Sequence, residues 1–526
     1  MEKTKTNFVE RLKTDGPAGL VVYLVALPLC LGIALASTGR PDLLFSGIIA
    51  GFVGGIVVGL FSGSPVGVSG PAAGLVVIVL TALQTLSSFE ALLLAIVLAG
   101  AIQLLAGYLR AGIIGYYFPS SVIKGMLAAI GLTLIIKEIP HALGYDKDFM
   151  GDEELVHIGK SNSFIDIYYA LKYNSIGAII ICLVSLALLI LFDRPFMKNI
   201  TLFRYIPGAL FVVLSGILLN LLFIGVMPQW ALSGEHVVQL PLAQNVNDFI
   251  NFFKFPDFAA ITNPKVYVVA FTIAIVASIE TLLCVEATDK LDPLKRSTPT
   301  NQELKAQGIG NMVSGLIGGL PITQVIVRSS ANINAGGRTK LAAIIHGAIL
   351  FLSAIFIPTV LNLIPLASLA AILLMVGYKL SNISLYTKMY KLGWEQFIPF
   401  IVTVIAILAT DLLKGIGIGM FFAIYFILKK NYLNSYNKEE SKLPDGTSVV
   451  VLKLAEEVTF LNKGMIQKTL YKLPKGSKVI IDGSKSENID YDVLEIIQEF
   501  KTLGAKNNNI TVETINIPEV EIPNGH

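Results

Sequence analysis

Residues 313–322, VSGLIGGLPI, repeat residues 57–66, VVGLFSGSPV, at Val, Gly, Leu, Gly and Pro. Each copy precedes a segment too short and too polar to cross a bilayer alone: VGVSGPAAGL (66–75) after the first, ITQVIVRSSANINAGG (322–337) after the second. Apolar segments counted outward from these two stretches number about fourteen, and each copy falls in the third span of a seven-span half. Seven is odd, so the halves enter the membrane in opposite orientations. This is the pattern of an inverted-repeat carrier, which places its substrate at the repeat interface.

Composition agrees with a membrane solvent. Hydrophobic residues make up 54% of the 526 and charged residues 15%, and the mean hydropathy is +0.70. Soluble domains carry about 25% charged residues. Runs such as LLAIVLAGAIQLLAGYL (93–109) and AIIICLVSLALLILF (178–192) are long enough to span. A net charge of +3 gives no reason to expect nucleic acid. Cys30, Cys182 and Cys284 are scattered through apolar stretches, forming neither a metal-ligand pair nor a disulfide framework. No nucleophile–base pair or phosphate loop stands out, so an enzyme is not expected.

Charge distribution orients the chain. Residues 1–15 read as a charged cytoplasmic leader to the first span, which Pro28 is expected to split. The loops then predicted cytoplasmic are basic, among them Arg110, Arg194, Lys198, Arg204, Lys290, Arg296, Arg338 and Lys340. The stretch 138–172, rich in Asp and Glu from Glu138 to Glu154, is predicted outside. Both termini therefore face the cytoplasm. The transport domain is expected over 16–430, with repeats about 16–228 and 264–430. A linker over 431–446 and a small α/β domain over 447–526 follow. Its strands are TSVVVLKLA, SKVIIDG and NITVETINI; its helices are FLNKGMIQKTLYKL and YDVLEIIQEFKTLG.

Two constellations carry chemistry. Helices that begin mid-membrane leave unpaired N–H groups and a partial positive charge at their starts, so two facing starts attract an anion. Small residues Ser69, Gly70, Ala72 and Ala73 allow close backbone approach, and Arg328 and Ser329 open the second element. The competing reading is that small residues only permit tight helix packing. The second constellation is Glu280, at the end of the apolar run VYVVAFTIAIVASI (266–279). A carboxylate there costs about 2.5–3.5 kcal/mol to insert and needs a cavity or a partner. It is either a Na⁺ or proton site or a salt bridge to Arg328 or Lys124 that ties helices. Lys124 is as well placed to snorkel to an interface, and His346 reads as a packing residue.

These segments resemble the SulP anion transporters (solute carrier family 26). The carrying motifs are VALPLCLGIALAS (25–37), GSPVGVSGPAAGL (63–75), SIETLLCVEATD (278–289) and the ordered series NQEL…GIGN…GLIGGLP…R…GGRT within 301–347. The resemblance implies an all-α domain of fourteen spans, a seven-plus-seven inverted repeat divided into core and gate, with a cytoplasmic STAS domain. It implies a multi-pass protein of the bacterial inner (plasma) membrane, a homodimer, with STAS contacts, that carries a small inorganic anion by alternating access. The implied substrate residues are Tyr23, Ala26, Pro28, Ser69, Gly70, Ala72, Val327, Arg328 and Ser329. Glu280 and Cys284 are the implied cation-coupling pair. Sodium-coupled bicarbonate members have Asp and Thr at those two places, so a Na⁺ near Glu280 lacks its hydroxyl ligand and a proton is the rival. In the STAS-like segment, Asp490, Tyr491, Asp492 and Val493 stand where phosphorylatable relatives have Asp-Ser-x-Gly. Bicarbonate is the favoured substrate and sulfate the next. A passive anion channel or exchanger, a dicarboxylate carrier, a nucleobase permease using Gln324 and Asn332, and a membrane receptor are the competing classes.

Overall fold

Every place where hydropathy expects a span is helical in the computed structural model, which describes residues 8–146, 163–194, 208–240, 242, 246–442 and 447–520. In the first half these are α1 (Phe8–Thr38), α2 (Phe45–Phe61), α3 (Val76–Leu86), α4 (Phe89–Tyr108), α5 (Ser120–Leu143), α6 (Ser163–Lys172), α7 (Ile176–Phe192) and α8 (Gly208–Val226). The second half contains α9 (Pro264–Leu291), α10 (Thr300–Leu316), α11 (Ile326–Asn334), α12 (Leu341–Phe356), α13 (Leu366–Leu380), α14 (Trp394–Ala409) and α15 (Leu412–Leu433). Among the described residues six helices are long and apolar enough to cross a membrane, and five shorter ones are apolar.

The two repeated stretches end in the same way. A three-residue strand follows each: β1 (Ser69–Pro71) after α2 and β2 (Ile322–Gln324) after α10. The strands pair antiparallel, Ser69 opposite Gln324 and Pro71 opposite Ile322. Short helices then start at Ala73 and at Ile326. Equivalent strands running antiparallel are what two copies in opposite orientation require.

Close helix crossings are made by glycine. A Cβ at Gly100 of α4 would lie 2.5 Å from the Gly308 carbonyl oxygen of α10, and one at Gly131 of α5 would lie 2.6 Å from that of Gly377 in α13. With lipid as solvent there is little hydrophobic drive between helices, so backbone contact of this kind supplies the packing.

Three expectations change. Helix α1 runs unbroken through Pro17 and Pro28. A proline costs one backbone hydrogen bond, but the neighbours around buried Pro28 hold the helix in register. The expected leader is helical from Phe8, the first described residue, and its last residue, Asp15, is fully buried. Asp15 accepts from the amides of Arg338 and Thr339 at 2.7 and 3.1 Å, which anchors the GGRT motif. Finally, the acidic stretch after α5 is not all solvated loop. Glu138 and Asp146 are buried, while Asp148, Asp152, Glu153 and Glu154 lie outside the described residues.

The chain divides into two units, Met1–Met420 and Phe421–His526, the division falling within α15. The second unit holds a sheet of β3 (Tyr436–Lys442), β4 (Ser448–Leu454), β5 (Lys478–Asp482) and β6 (Thr511–Ile515). The last three are mutually parallel in the order β4-β5-β6, and β3 pairs antiparallel with β4. Helices α16 (Lys463–Leu470) and α17 (Tyr491–Glu499) supply Ile466, Val493 and Ile497 to one core with Leu452, Val479 and Ile481. The expected 431–446 linker thus contains the end of α15 and the strand β3. Its charged YNKEESK is exposed along its length because it forms an edge, paired on one side only.

Candidate functional site

The starts of the two broken elements share one cavity. Ala73 from the first and Val325, Val327 and Arg328 from the second line it, with Leu29 and Ile33 of α1 and Thr133, Leu134, Lys137 and Glu138 of α5. The space open to the centre of a water molecule is about 20 Å³, enough for a very small guest. Both helix starts bring unpaired amides and a partial positive charge toward it.

Arg328 dominates the electrostatics. It is wholly buried. Its Nη2 reaches only the Cys30 Sγ and the Pro71 carbonyl, both at 3.4 Å. Among the described residues its Nε and Nη1 have no hydrogen-bonding partner. A buried cation without a carboxylate costs several kcal/mol. Gly70 makes room for it: a Cβ there would stand 1.9 Å from Nη1. His346 is also buried, with neither ring nitrogen hydrogen-bonded among the described residues, and lies within electrostatic reach of Arg328.

The other expected residues divide by role. Val327 lines the cavity, and Ala72 supplies the extended residue before the first short helix. The hydroxyls of Ser69 and Ser329 are committed to structure. Ser69 Oγ accepts from Gln307 Nε2 at 2.7 Å. Ser329 Oγ accepts from the Val68 amide at 3.0 Å and donates to the Val325 carbonyl at 2.8 Å. Tyr23 faces Ser353 on α12, and Ala26 and Pro28 are buried in α1. On α1 it is Leu29 and Ile33 that meet the cavity. Gln324 and Asn332, the amides a heterocycle would need, donate to Thr288 Oγ1 at 3.0 Å and the Val66 carbonyl at 2.9 Å, while Gln324 Oε1 and Asn332 Oδ1 have no hydrogen-bonding partner among the described residues. Lys124 is half-buried on α5.

Glu280 is buried on α9, its carboxylate 3.0–3.1 Å from where a Gly74 Cβ would stand. That puts it one residue from Ala73 of the cavity wall. Cys284, four residues on, is buried as well. It offers sulfur where a hard cation takes oxygen, and no group of three or more His, Cys, Asp or Glu suited to a metal occurs among the described residues.

Residues that a reading of the chain passes over hold the frame. Asn311 donates to Gln103 Oε1 at 2.7 Å and to the Ile322 carbonyl at 2.9 Å, and accepts from the Ile322 amide at 2.6 Å. Glu303 accepts from Ser62 at 2.5 Å and Gln307 at 3.0 Å. The NQEL…GIGN motif is therefore the clamp on β1 and β2. Asn311→Leu leaves two buried backbone groups of Ile322 unpaired, a loss of about 2–6 kcal/mol at about 1–3 each. The expected result is a clearly lowered thermal midpoint in detergent; an unchanged midpoint would mean that β2 is held by other contacts. Lys137 and Glu138 were legible only as a charged pair ending an apolar run.

A family model described as the sulfate permease family matches residues 12–406. The Bacillus subtilis (strain 168) protein YvdB, whose name assigns it to sulfate transport, is 26% identical over 422 residues, 80% of this chain and 74% of its own. The bicarbonate transporter BicA of Picosynechococcus sp. is 24% identical over 486 residues, covering 90% of this chain and 80% of its own. Among solved structures, SLC26A9 matches with a TM-score of 0.66 at 16% identity, over 98% of this chain and 86% of that one. The transmembrane domain of a cyanobacterial BicA matches with a TM-score of 0.54 at 21% identity, over 78% of this chain and 99% of that one.

Proposed function

Because the chain belongs to the sulfate permease family and is an anion transporter of it, we propose that it carries a small oxyanion, bicarbonate ahead of sulfate, by cation-coupled alternating access. The observation that carries this reading is Arg328, fully buried beside two helix starts and with no carboxylate partner among the described residues. An anion entering the cavity supplies the missing charge. The small cavity favours a compact ion. Glu280 carries the coupling cation beside the first helix start. Motion of the helices bearing the broken elements against the wall from α5 would expose the cavity to either side in turn.

The remaining parts follow the family pattern. Fourteen spans in two inverted halves, both termini in the cytoplasm and a plasma-membrane location are supported by the repeat and by the basic loops. The second unit is read as a STAS domain that serves contacts in a homodimer. Asp490 caps α17 by accepting from the Asp492 amide, and Tyr491 occupies the place of a phosphorylatable serine, so this copy lacks that switch.

The test is uptake of labelled bicarbonate and sulfate into proteoliposomes, corrected for protein-free vesicles, with Na⁺ and proton gradients imposed separately. Accumulation of one anion driven by one gradient supports the reading. Flux far above carrier rates with no gradient dependence would identify a channel, and no uptake of either anion would overturn it.

A further inference from the structure

At its C-terminal end α5 meets a line of titratable side chains that the anion site leaves unused. His141 Nδ1 and His236 Nδ1 each lie 2.6 Å from a different carboxylate oxygen of Asp146. The side chains of His141 and Asp146 are each 2% exposed, whereas His236 is 35% exposed. His236 and Asp146 open into a pocket of about 1020 Å³ that Tyr145, Tyr169, Trp230 and Glu235 also line. One helical turn before His141 stands Glu138, on the same face of the helix. It is 1% exposed. It lines the anion cavity with Arg328, and its Oε2 has no hydrogen-bonding partner among the described residues. The four groups thus run from an exposed imidazole to the cavity wall.

We propose that His236, Asp146 and His141 form a proton entry path that delivers to Glu138, and through it to the anion cavity. The path rests on the carrier reading given above. A proton taken up at His236 Nε2 releases the Nδ1 proton to Asp146; the carboxyl passes one on to His141 Nδ1. His141 then gives up its Nε2 proton to the Glu138 carboxylate. Each N–H or O–H bond broken is matched by one formed, and one positive charge moves inward. A protonated Glu138 no longer repels an anion held by Arg328, so proton arrival and anion binding favour one another.

The surroundings are consistent with this. The charges acting on Glu138 are those of His141, Asp146 and Lys137, with the thiol of Cys182 on α7 nearby. Of the other elements packed on α5, α9 brings Glu280, and α6 brings Tyr168, Tyr169 and Lys172. Helix α13 carries Lys379 near the level of Gly131, ion-paired to Asp193 at 3.1 Å, and α14 carries Glu395 beyond the level of Gly125. Burial alone would push the Asp146 carboxyl up, but its contacts with the imidazoles of His141 and His236 hold it below the usual carboxylate range. The hydrogen bond to Asp146 lifts His236 above the usual imidazole range against the effect of burial. His236 therefore stays loaded at pH values where a free imidazole has emptied, and unloads as pH rises through its raised value.

The test is proton-driven uptake of labelled sulfate and bicarbonate into proteoliposomes as a function of pH, with an entrapped dye reporting interior acidification. Glu138→Gln should lower proton-driven accumulation by about a hundredfold, the scale of a lost proton-transfer group, and Glu138→Asp should restore part of it. Asp146→Asn and His236→Gln should move the alkaline limb of the pH profile to lower pH, while His236→Gln keeps gradient-free anion counterflow. Wild-type pH profiles in all three positions, with coupling still abolished by Glu280→Gln, would overturn the path and leave the carrier reading standing. Accumulation driven by Na⁺ alone with a flat pH profile would also overturn it. Absence of any wild-type uptake would remove the carrier reading itself.

Discussion

Arg328→Ala is expected to weaken anion binding by about 10- to 100-fold, because hydrogen bonds to a charged group contribute about 1.5–3 kcal/mol and each 1.4 kcal/mol is tenfold. The anion-free protein should keep its thermal midpoint or gain slightly. Arg328 is fully buried with two nitrogens that have no hydrogen-bonding partner among the described residues, so removing it also removes a desolvation penalty. Substrate anion should then no longer raise the midpoint. This pairing separates a binding role from a structural one. If the guanidinium were a strut, the variant would lose stability and keep its affinity. Gly70→Ala provides a second route to the same result, since its Cβ would meet Nη1 at 1.9 Å and must displace the guanidinium. Titration of labelled anion against purified protein, with melting curves at saturating and zero anion, reads both quantities.

Glu280→Gln should abolish gradient-driven accumulation while the protein remains folded. The amide has nearly the shape of the carboxyl and fits the same space against Gly74, but it cannot take up a proton or supply a negative charge to a cation. Whatever uptake remains should run only downhill and be indifferent to the imposed gradient. Accumulation against a gradient in this variant would remove Glu280 from the coupling scheme. Cys284→Thr is informative beside it. If sulfur at position 284 is what disfavours Na⁺, the hydroxyl should increase Na⁺-driven uptake. No change would show that position 284 does not set cation choice.

The one-dimensional pattern reaches a long way in this chain because a bilayer imposes strong local rules. A backbone without water must satisfy its own hydrogen bonds, so apolar length located most of the helices from α1 to α15; α11 was announced by the repeat, and α6 fell in the stretch predicted outside. The paired motifs at 57–66 and 313–322 likewise announced two broken elements, since glycines and a proline recur at equivalent places in both copies and disfavour a continued helix there. Arg328 and Glu280 were legible for the same reason: charge inside an apolar run is costly enough to demand a purpose.

What the chain could not disclose is direction and partnership. Ser69 and Ser329 look like ligands in sequence, yet their hydroxyls hold Gln307 and the Val68 amide. Tyr23 turns to α12, while Leu29 and Ile33 meet the cavity. Which face of α1 meets the cavity depends on how it packs against α12 and the broken elements, a result of long-range contacts that its nearly uniform hydrophobicity does not encode. Glu138 read as the start of an acidic loop because it follows the last apolar turn of α5; tertiary packing folded it inward beside His141 and Asp146. By itself the sequence determined the helices, the repeat and the two intramembrane charges, all consequences of solvent and local sterics. Only the tertiary structure decided which side chains face the cavity and which clamp its frame, because that choice is made between residues more than two hundred positions apart, as from Ser69 to Gln307.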